Sequence, residues 1–301
     1  MRHVSRDELA GRLEPFLIAR LAPGQGRFAC RRFRPALIWS RLDLAIKLLY
    51  LKDAETARDL YDAHIAAFSL GDMKEPGSDK HGAAAFRRQF EDLHRRIRDE
   101  GFDADQSLIP LARGGSILNG AHRAACAMQA GKPVVGVETG LDPVIYDYRY
   151  FRRRGMSDED RDAAVLAYVD LAPQARIALL SPMTRRAERA LLARLGPLVY
   201  RRVIRLTPAP NLPADAALLL LVVDAGGTVP DAALWVSASH DEARAMARLL
   251  LVPPQGARPG ASRRLLYRWR RGTSRLRHQA IALLGRMGMK ETVRRLYRRG
   301  R

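Results

Sequence analysis

Apolar residues recur at helical spacing through much of the first 130 residues, interrupted by short apolar runs bounded by glycine. Asp7 to Leu21 carries a helical pattern that ends near Pro23-Gly24. Ser40-Arg41-Leu42-Asp43 reads as an N-cap followed by an acid three positions on, opening a helix through Leu51 with Leu44, Leu48 and Leu51 on one face. Glu55 to Phe68 continues helically through Ala57, Leu60, Tyr61, His64, Ile65 and Phe68. A polar loop rich in turn formers, Gly71 to Lys80, precedes a longer helix, Ala83 to Glu100, which aligns Phe86, Phe90, Leu93 and Ile97 on one stripe. A strand from Ser107 to Ala112 then turns at Gly114-Gly115 and returns as Ser116 to Leu118. Ala121 to Ala130 is a smooth helical run stopped by Gly131, and Val134 to Glu138 is a further strand.

Beyond Phe151 the pattern changes to shorter alternating segments. Helices are expected at Ser157 to Leu171, Thr184 to Leu195 and Ser239 to Leu251, the last opened by the capping-box match Ser239-His240-Asp241-Glu242. Strands are expected at Arg176 to Leu180, Val199 to Leu206, Ala216 to Val223 and Leu234 to Val236. The pattern predicts an α+β fold in three parts: an N-terminal domain over 1–150, a small α/β unit over 151–252, and a basic amphipathic helical tail over 253–301.

Composition changes the picture in one place. The net charge is +20, and from Leu251 to Arg301 fifteen Lys/Arg face one acid, so +14 of it lies in the tail. There, Leu266, Trp269, Leu276, Ile281, Leu284, Met287, Val293 and Leu296 are interspersed with arginines over two expected helices. A helix with Trp and Leu on one side and Arg on the other suits an anionic membrane surface, here through residues 263–301. Nucleic acid is the competing partner, since arginine also neutralises phosphates. The N-terminus has acids early and no apolar run, and no stretch reaches the length of a membrane span. Two cysteines, Cys30 and Cys126, are too few for a disulfide framework or a zinc site. The expected location is a reducing cytoplasm, with peripheral attachment to the inner membrane if the tail docks there.

The segment with the most chemistry is Asn119-Gly120-Ala121-His122-Arg123. A glycine turn feeding a helix start aims free backbone N–H groups and the positive end of the helix dipole at one spot. His122 and Arg123 on the first turn add side-chain donors, one of them permanently cationic, which suits a phosphate. Asp43 and Lys47 are one helical turn apart and read as a surface ion pair. Trp39, Tyr146, Tyr148 and Tyr150 read as core or interface aromatics, and His240 and Asp241 as parts of a helix cap.

The stretch Ile97 to Asp103, then Leu108-Ile109-Pro110-Leu111, then Leu118-Asn119-Gly120-Ala121-His122-Arg123-Ala124-Ala125, resembles the ParB/sulfiredoxin superfamily. In that superfamily a Gly-X-X-Arg turn opens a helix and holds nucleotide phosphates; ParB proteins bind CTP, sulfiredoxins use ATP, and some relatives phosphorylate free serine. Sulfiredoxin's turn is Gly-Cys-His-Arg with a catalytic cysteine; Ala121 stands in that slot here, which argues against sulfinic acid reduction. From Arg41 to Gly131 the chain resembles a bacterial ParB-like group linked with surface-polysaccharide genes, on Asp43, Lys47, Lys74-Glu75, Lys80 and Gly-Ala-His-Arg. The resemblance implies bound ATP or CTP with Mg2+ on its phosphates. Arg123 would clamp phosphate oxygens, Gly120 would let the backbone approach, and Asn119 and Ala121 would shape the turn. His122 would donate a hydrogen bond or act as acid/base. Lys74 and Lys80 become lid or substrate residues, and Glu75 a base toward a hydroxyl or a magnesium ligand. The expected activity is an NTP-dependent phosphotransferase or NTPase acting on a small hydroxyl compound or sugar-related metabolite. The alternatives are a ParB-like DNA-binding regulator and a noncatalytic membrane-surface scaffold in polysaccharide biosynthesis.

Overall fold

Side-chain caps fix where most helices begin. In the computed structural model, which describes residues 2–74, 81–194, 197–205, 217–224 and 233–251, the chain divides into two compact units, 1–156 and 157–301. Each contains helices and a sheet, so the fold is α+β. The basic tail over 253–301, and with it the expected membrane or nucleic-acid surface, lies outside the described residues, as do Glu75 and Lys80.

In the first unit, β1 (Arg2–Ser5) leads directly into α1 (Arg6–Ala10) through a reciprocal cap in which the Glu8 amide donates to Ser5 Oγ and the Ser5 amide to the Glu8 carboxylate. The helix expected over Asp7 to Leu21 is broken into α1 and α2 (Pro15–Ile18). The break follows from chemistry at the join: Pro15 has no N–H to continue a helix and its ring favours a first-turn position. Next come β2 (Arg27–Phe33), α3 (Leu42–Lys52), α4 (Ala54–Ser69), α5 (Gly82–Glu100), β3 (Ile109–Leu111), α6 (Ala121–Gln129), β4 (Val134–Glu138) and α7 (Tyr148–Arg153). The sheet order is β1-β2-β4-β3, with β3 parallel to β4 and the other pairs antiparallel. The unit boundary falls after Met156 rather than at 150, because Phe151 and Met156 are buried with the first unit and Arg154 donates to the Phe68 carbonyl.

The return strand over 116–118 forms one bridge, Leu111 with Ile117, held by Ala112 N–H to Ser116 O and Leu118 N–H to Pro110 O, both at 2.8 Å. That short pairing delivers the chain to Asn119 at the edge of the sheet. Val4, Leu9, Leu13, Leu21, Phe28, Cys30, Leu108 and Val137 form a core between α1, the segment after it and the sheet.

The second unit contains α8 (Asp158–Leu171), β5 (Arg176–Leu180), α9 (Arg185–Arg194), β6 (Leu198–Arg205), β7 (Ala217–Val223), β8 (Trp235–Val236) and α10 (His240–Leu250). Ser157 and Ser239 cap α8 and α10 as the sequence predicts. The sheet runs β6-β7-β5-β8 and is antiparallel throughout. The alternating segments therefore do not build the parallel crossovers that an α/β unit implies. Asp162, buried on α8, accepts from Tyr200 Oη at 2.5 Å and from Arg202, which ties α8 to β6.

Gly136 in β4 has no room for a side chain, since a Cβ there would sit 2.6 Å from Leu111 Cδ1 and 2.8 Å from Phe33 Cε1. Gly136→Ala is expected to destabilise the protein by about 1–3 kcal/mol in urea denaturation, because two packed side chains must move to admit one methyl. An unchanged midpoint would contradict this packing.

Candidate functional site

Gly120 begins α6 in the left-handed region, φ 82°, and no side chain caps the helix end. The backbone angle disfavours any residue with a Cβ here, and the added atom would lie 2.8 Å from Ile109 Cδ1 and 2.9 Å from Arg123 Nη2, so both side-chain ends would have to move. The turn opens into a cleft of about 560 Å3 in the first unit, lined by the start of α6, the end of α5, α3, α4 and Glu14.

Asn119, Gly120, Ala121, His122, Arg123 and Lys74 all line this cleft, so the structure brings together every predicted site residue that it describes. Arg123 donates to Glu14 Oε1 at 3.0 Å and to the Leu108 carbonyl at 3.3 Å. The other carboxylate oxygen, Glu14 Oε2, is buried without a hydrogen-bond partner. His122 Nε2 lies 3.0 Å from Tyr61 Oη, and its ring stands edge-on to Phe90 at 4.7 Å. Burial, reinforced by Tyr50 and Asp62, pushes the Tyr61 phenol well above its ordinary value, so the hydroxyl stays protonated beside the imidazole. Ala121, directly after the glycine, carries no thiol. Cys126, on the same helix, is fully buried and its thiol is pushed up to about 12, so it offers no thiolate in its place.

The cleft also exposes what the sequence reading missed. Asp43 and Lys47 do pair, at 3.1 Å, but inside the protein rather than on its surface. Asp43 takes a two-pronged grip from Arg41, Nε to Oδ1 at 2.9 Å and Nη2 to Oδ2 at 3.0 Å. Arg41 Nη1 donates to the Ile117 carbonyl, two residues before Asn119. Lys47 Nζ donates to His64 Nε2 at 2.9 Å, and His64 Nδ1 donates to the Tyr61 carbonyl at 2.7 Å, which fixes the imidazole as the neutral Nδ1–H tautomer. Arg41 lies over the Tyr146 ring at 4.9 Å and Lys47 over the Phe68 ring at 5.5 Å. The signal was present in α3: Leu42, Leu44, Ala45, Ile46 and Leu48 are apolar on every side of the helix, and a helix apolar all round is buried. A charge within such a helix must be paired.

Each charge state follows from this packing. Burial alone would raise the Asp43 carboxyl, but Arg41 and Lys47 outweigh it and hold the group far below the carboxylate range. Burial lowers Lys47 against the pull of Asp43. Burial, then Lys47, keeps His64 well below the usual histidine value of 6.5. Among the described residues no three His, Cys, Asp or Glu side chains converge as a metal site, and no helix is long and apolar enough to cross a membrane. Comparison of the chain with family models, curated proteins and solved structures gives no match.

His64 has a depressed value in the folded state, so its contribution to stability is complete above its unfolded value near 6.5 and is lost as pH falls below it. His64→Gln keeps an acceptor for Lys47 without the titration. In urea denaturation, the stability advantage of wild type over this variant should narrow by about 1 kcal/mol between roughly pH 7.5 and 5.5. A constant difference across that range would show that the imidazole can charge in place.

Proposed function

We propose that the first unit is a ParB/sulfiredoxin-like nucleotide-binding domain, with ATP or CTP phosphates seated on the Asn119–Arg123 turn. The observation that carries this reading is an uncapped helix start, opened by a left-handed glycine, in the same cleft as Arg123, His122 and Lys74. Helix N-termini favour phosphate because their N–H groups have no partner within the helix. The order β3, short return strand, glycine turn, α6, β4 places that helix start at a strand–turn–helix junction, the setting such a loop needs.

The reaction that suits these groups is phosphoryl transfer to a small hydroxyl or sugar-related compound, or hydrolysis of the nucleotide, where positioning and electrostatics do most of the catalytic work. Arg123 would neutralise the phosphate oxygens. His122, backed by the protonated Tyr61, would hydrogen-bond the transferring group or relay a proton. Magnesium on the phosphates would supply further charge neutralisation when bound, and the orphaned Glu14 Oε2 beside Arg123 is a buried carboxylate oxygen suited to touch it. That fit is to a cation held chiefly by phosphate and water.

Calorimetric titration of the full chain with ATP and with CTP, each with magnesium, tests the reading. Binding of at least one nucleotide is expected. Arg123→Ala should weaken it by about 10- to 100-fold, the worth of a charge-assisted phosphate contact, with circular dichroism confirming that the variant is folded. Absence of binding by wild type would overturn the proposal.

A further inference from the structure

Asp43, Arg41 and Lys47 do not balance. Two cations that are 1% and 2% exposed share one carboxylate, and His64 beside them is neutral, so the group carries a net charge of +1 inside the protein. Among the described residues Asp43 is the only carboxylate within salt-bridge distance of either cation. Glu14, another acid lining the cleft, pairs with Arg123.

Donors are in surplus as well. Arg41 has five N–H groups and Lys47 three. Asp43 and the Ile117 carbonyl take three from Arg41, and Asp43 and His64 take two from Lys47. The aromatic faces of Tyr146 and Phe68 lie against the two cations, but such contacts supply about 0.5–2 kcal/mol, whereas an unbalanced buried ion costs several. Both side chains line the cleft that holds the Gly120 turn. A structural bolt alone would need one cation for one carboxylate; the second cation at a cleft wall calls for an anion from outside.

We propose that Arg41 and Lys47 form a second oxyanion subsite in this cleft, separate from the Asn119–Arg123 turn, so that the cleft takes two anionic groups. This rests on the nucleotide reading only for what occupies the turn. The second group is a phosphate or carboxylate oxygen. It comes either from a more distant phosphate of the same nucleotide or from an acceptor that is itself an anionic hydroxyl compound. Arg41 and Lys47 orient that group and compensate its charge. They are binding residues here, and no bond is made or broken at them.

Inorganic phosphate is the probe. Thermal unfolding of the full chain is followed against phosphate concentration, with chloride at matched ionic strength as the reference. A ligand that binds only the folded state raises its stability in proportion to the logarithm of one plus its concentration divided by Kd. Wild type should be stabilised by phosphate; Arg123→Ala should keep part of that rise, and Lys47→Met should keep a different part. The double variant should lose it, while Lys47→Arg, which retains the charge, should behave as wild type. Phosphate stabilisation that vanishes in Arg123→Ala and persists undiminished in Lys47→Met would overturn the second subsite and leave the turn reading intact. The reverse pattern would sustain the subsite and sink the turn. If Lys47→Met fails to fold, Arg123→Ala still decides: no residual phosphate effect in that variant overturns the proposal. The two sources are then separated by titrating the nucleotide alone. If the nucleotide spans both subsites, Lys47→Met weakens it about tenfold or more; if the second subsite serves an acceptor, nucleotide affinity is unchanged and added phosphate still binds the complex.

Discussion

The Asp43 carboxylate is the interaction around which the first unit is organised. It is fully buried, and a carboxylate in that position is tolerable only while it stays paired. Arg41 and Lys47 are in turn held by Ile117, His64, Tyr146 and Phe68, which belong to the return strand, α4 and the segment leading into α7. One charge thus ties three pieces of chain to α3. Removing one member of a buried pair costs about 3–5 kcal/mol, a large part of the stability of a small domain, so these pieces move together or not at all.

That constraint reaches the cleft through Arg41. Its hydrogen bond to the Ile117 carbonyl pins the chain just before Asn119, and the parallel bridge between Arg41 and Tyr146 pins the start of α3 on its other side. The Gly120 turn is therefore set by a strand of three residues, a single bridge and one guanidinium, rather than by a long sheet edge. Gly120 adopts its left-handed conformation without strain, and Ile109 and Arg123 close in on the position a side chain would take. A rigid helix start of this kind is what preorganised anion binding requires.

Most of the helices were legible in the sequence, as were residues that line the cleft, but not their depth. Caps at Ser157 and Ser239, the glycine stops at Gly101 and Gly131, and the apolar stripe of α5 are local signals, and the structure agrees with each. β1 and β2 were missed because Arg-Phe-Ala-Cys-Arg-Arg-Phe carries only Phe28 and Cys30 as buried anchors, and its pairing partners lie far along the chain. The break between α1 and α2 was missed although Pro15 announced it. The Asp43–Lys47 spacing was read as a surface pair because i, i+4 oppositely charged residues usually are one. What decided its burial was nonlocal: α3 packs against both α4 and α6, so the face that carries Asp43 and Lys47 is closed to solvent. Helical spacing gives the face of a residue, and only the packing of other helices says whether that face is wet.

Glu14 sets the terms on which an anion can enter. It already holds Arg123 at 3.0 Å, and its second oxygen is buried with nothing to bond. A phosphate placed on the same guanidinium would bring like charge against that carboxylate in a place where water screens it poorly. Two resolutions are physically open. The Glu14 side chain can swing away from Arg123 while α2, anchored by buried Leu17 and by the hydrogen bond from Arg6 to the Ile18 carbonyl, stays in place. Otherwise a cation must come in with the phosphate and give the orphaned oxygen a partner. The first makes Glu14 a placeholder that raises the threshold for weak anions; the second makes it part of the binding site. Both favour a ligand of high charge density over a lone carboxylate, since only such a ligand recovers the energy of the ion pair it displaces or the cation it must bring. The ligand proposed for this turn, a polyphosphate with its magnesium, would meet that demand in either case, and it would bring the orphaned oxygen and the uncapped helix into one account.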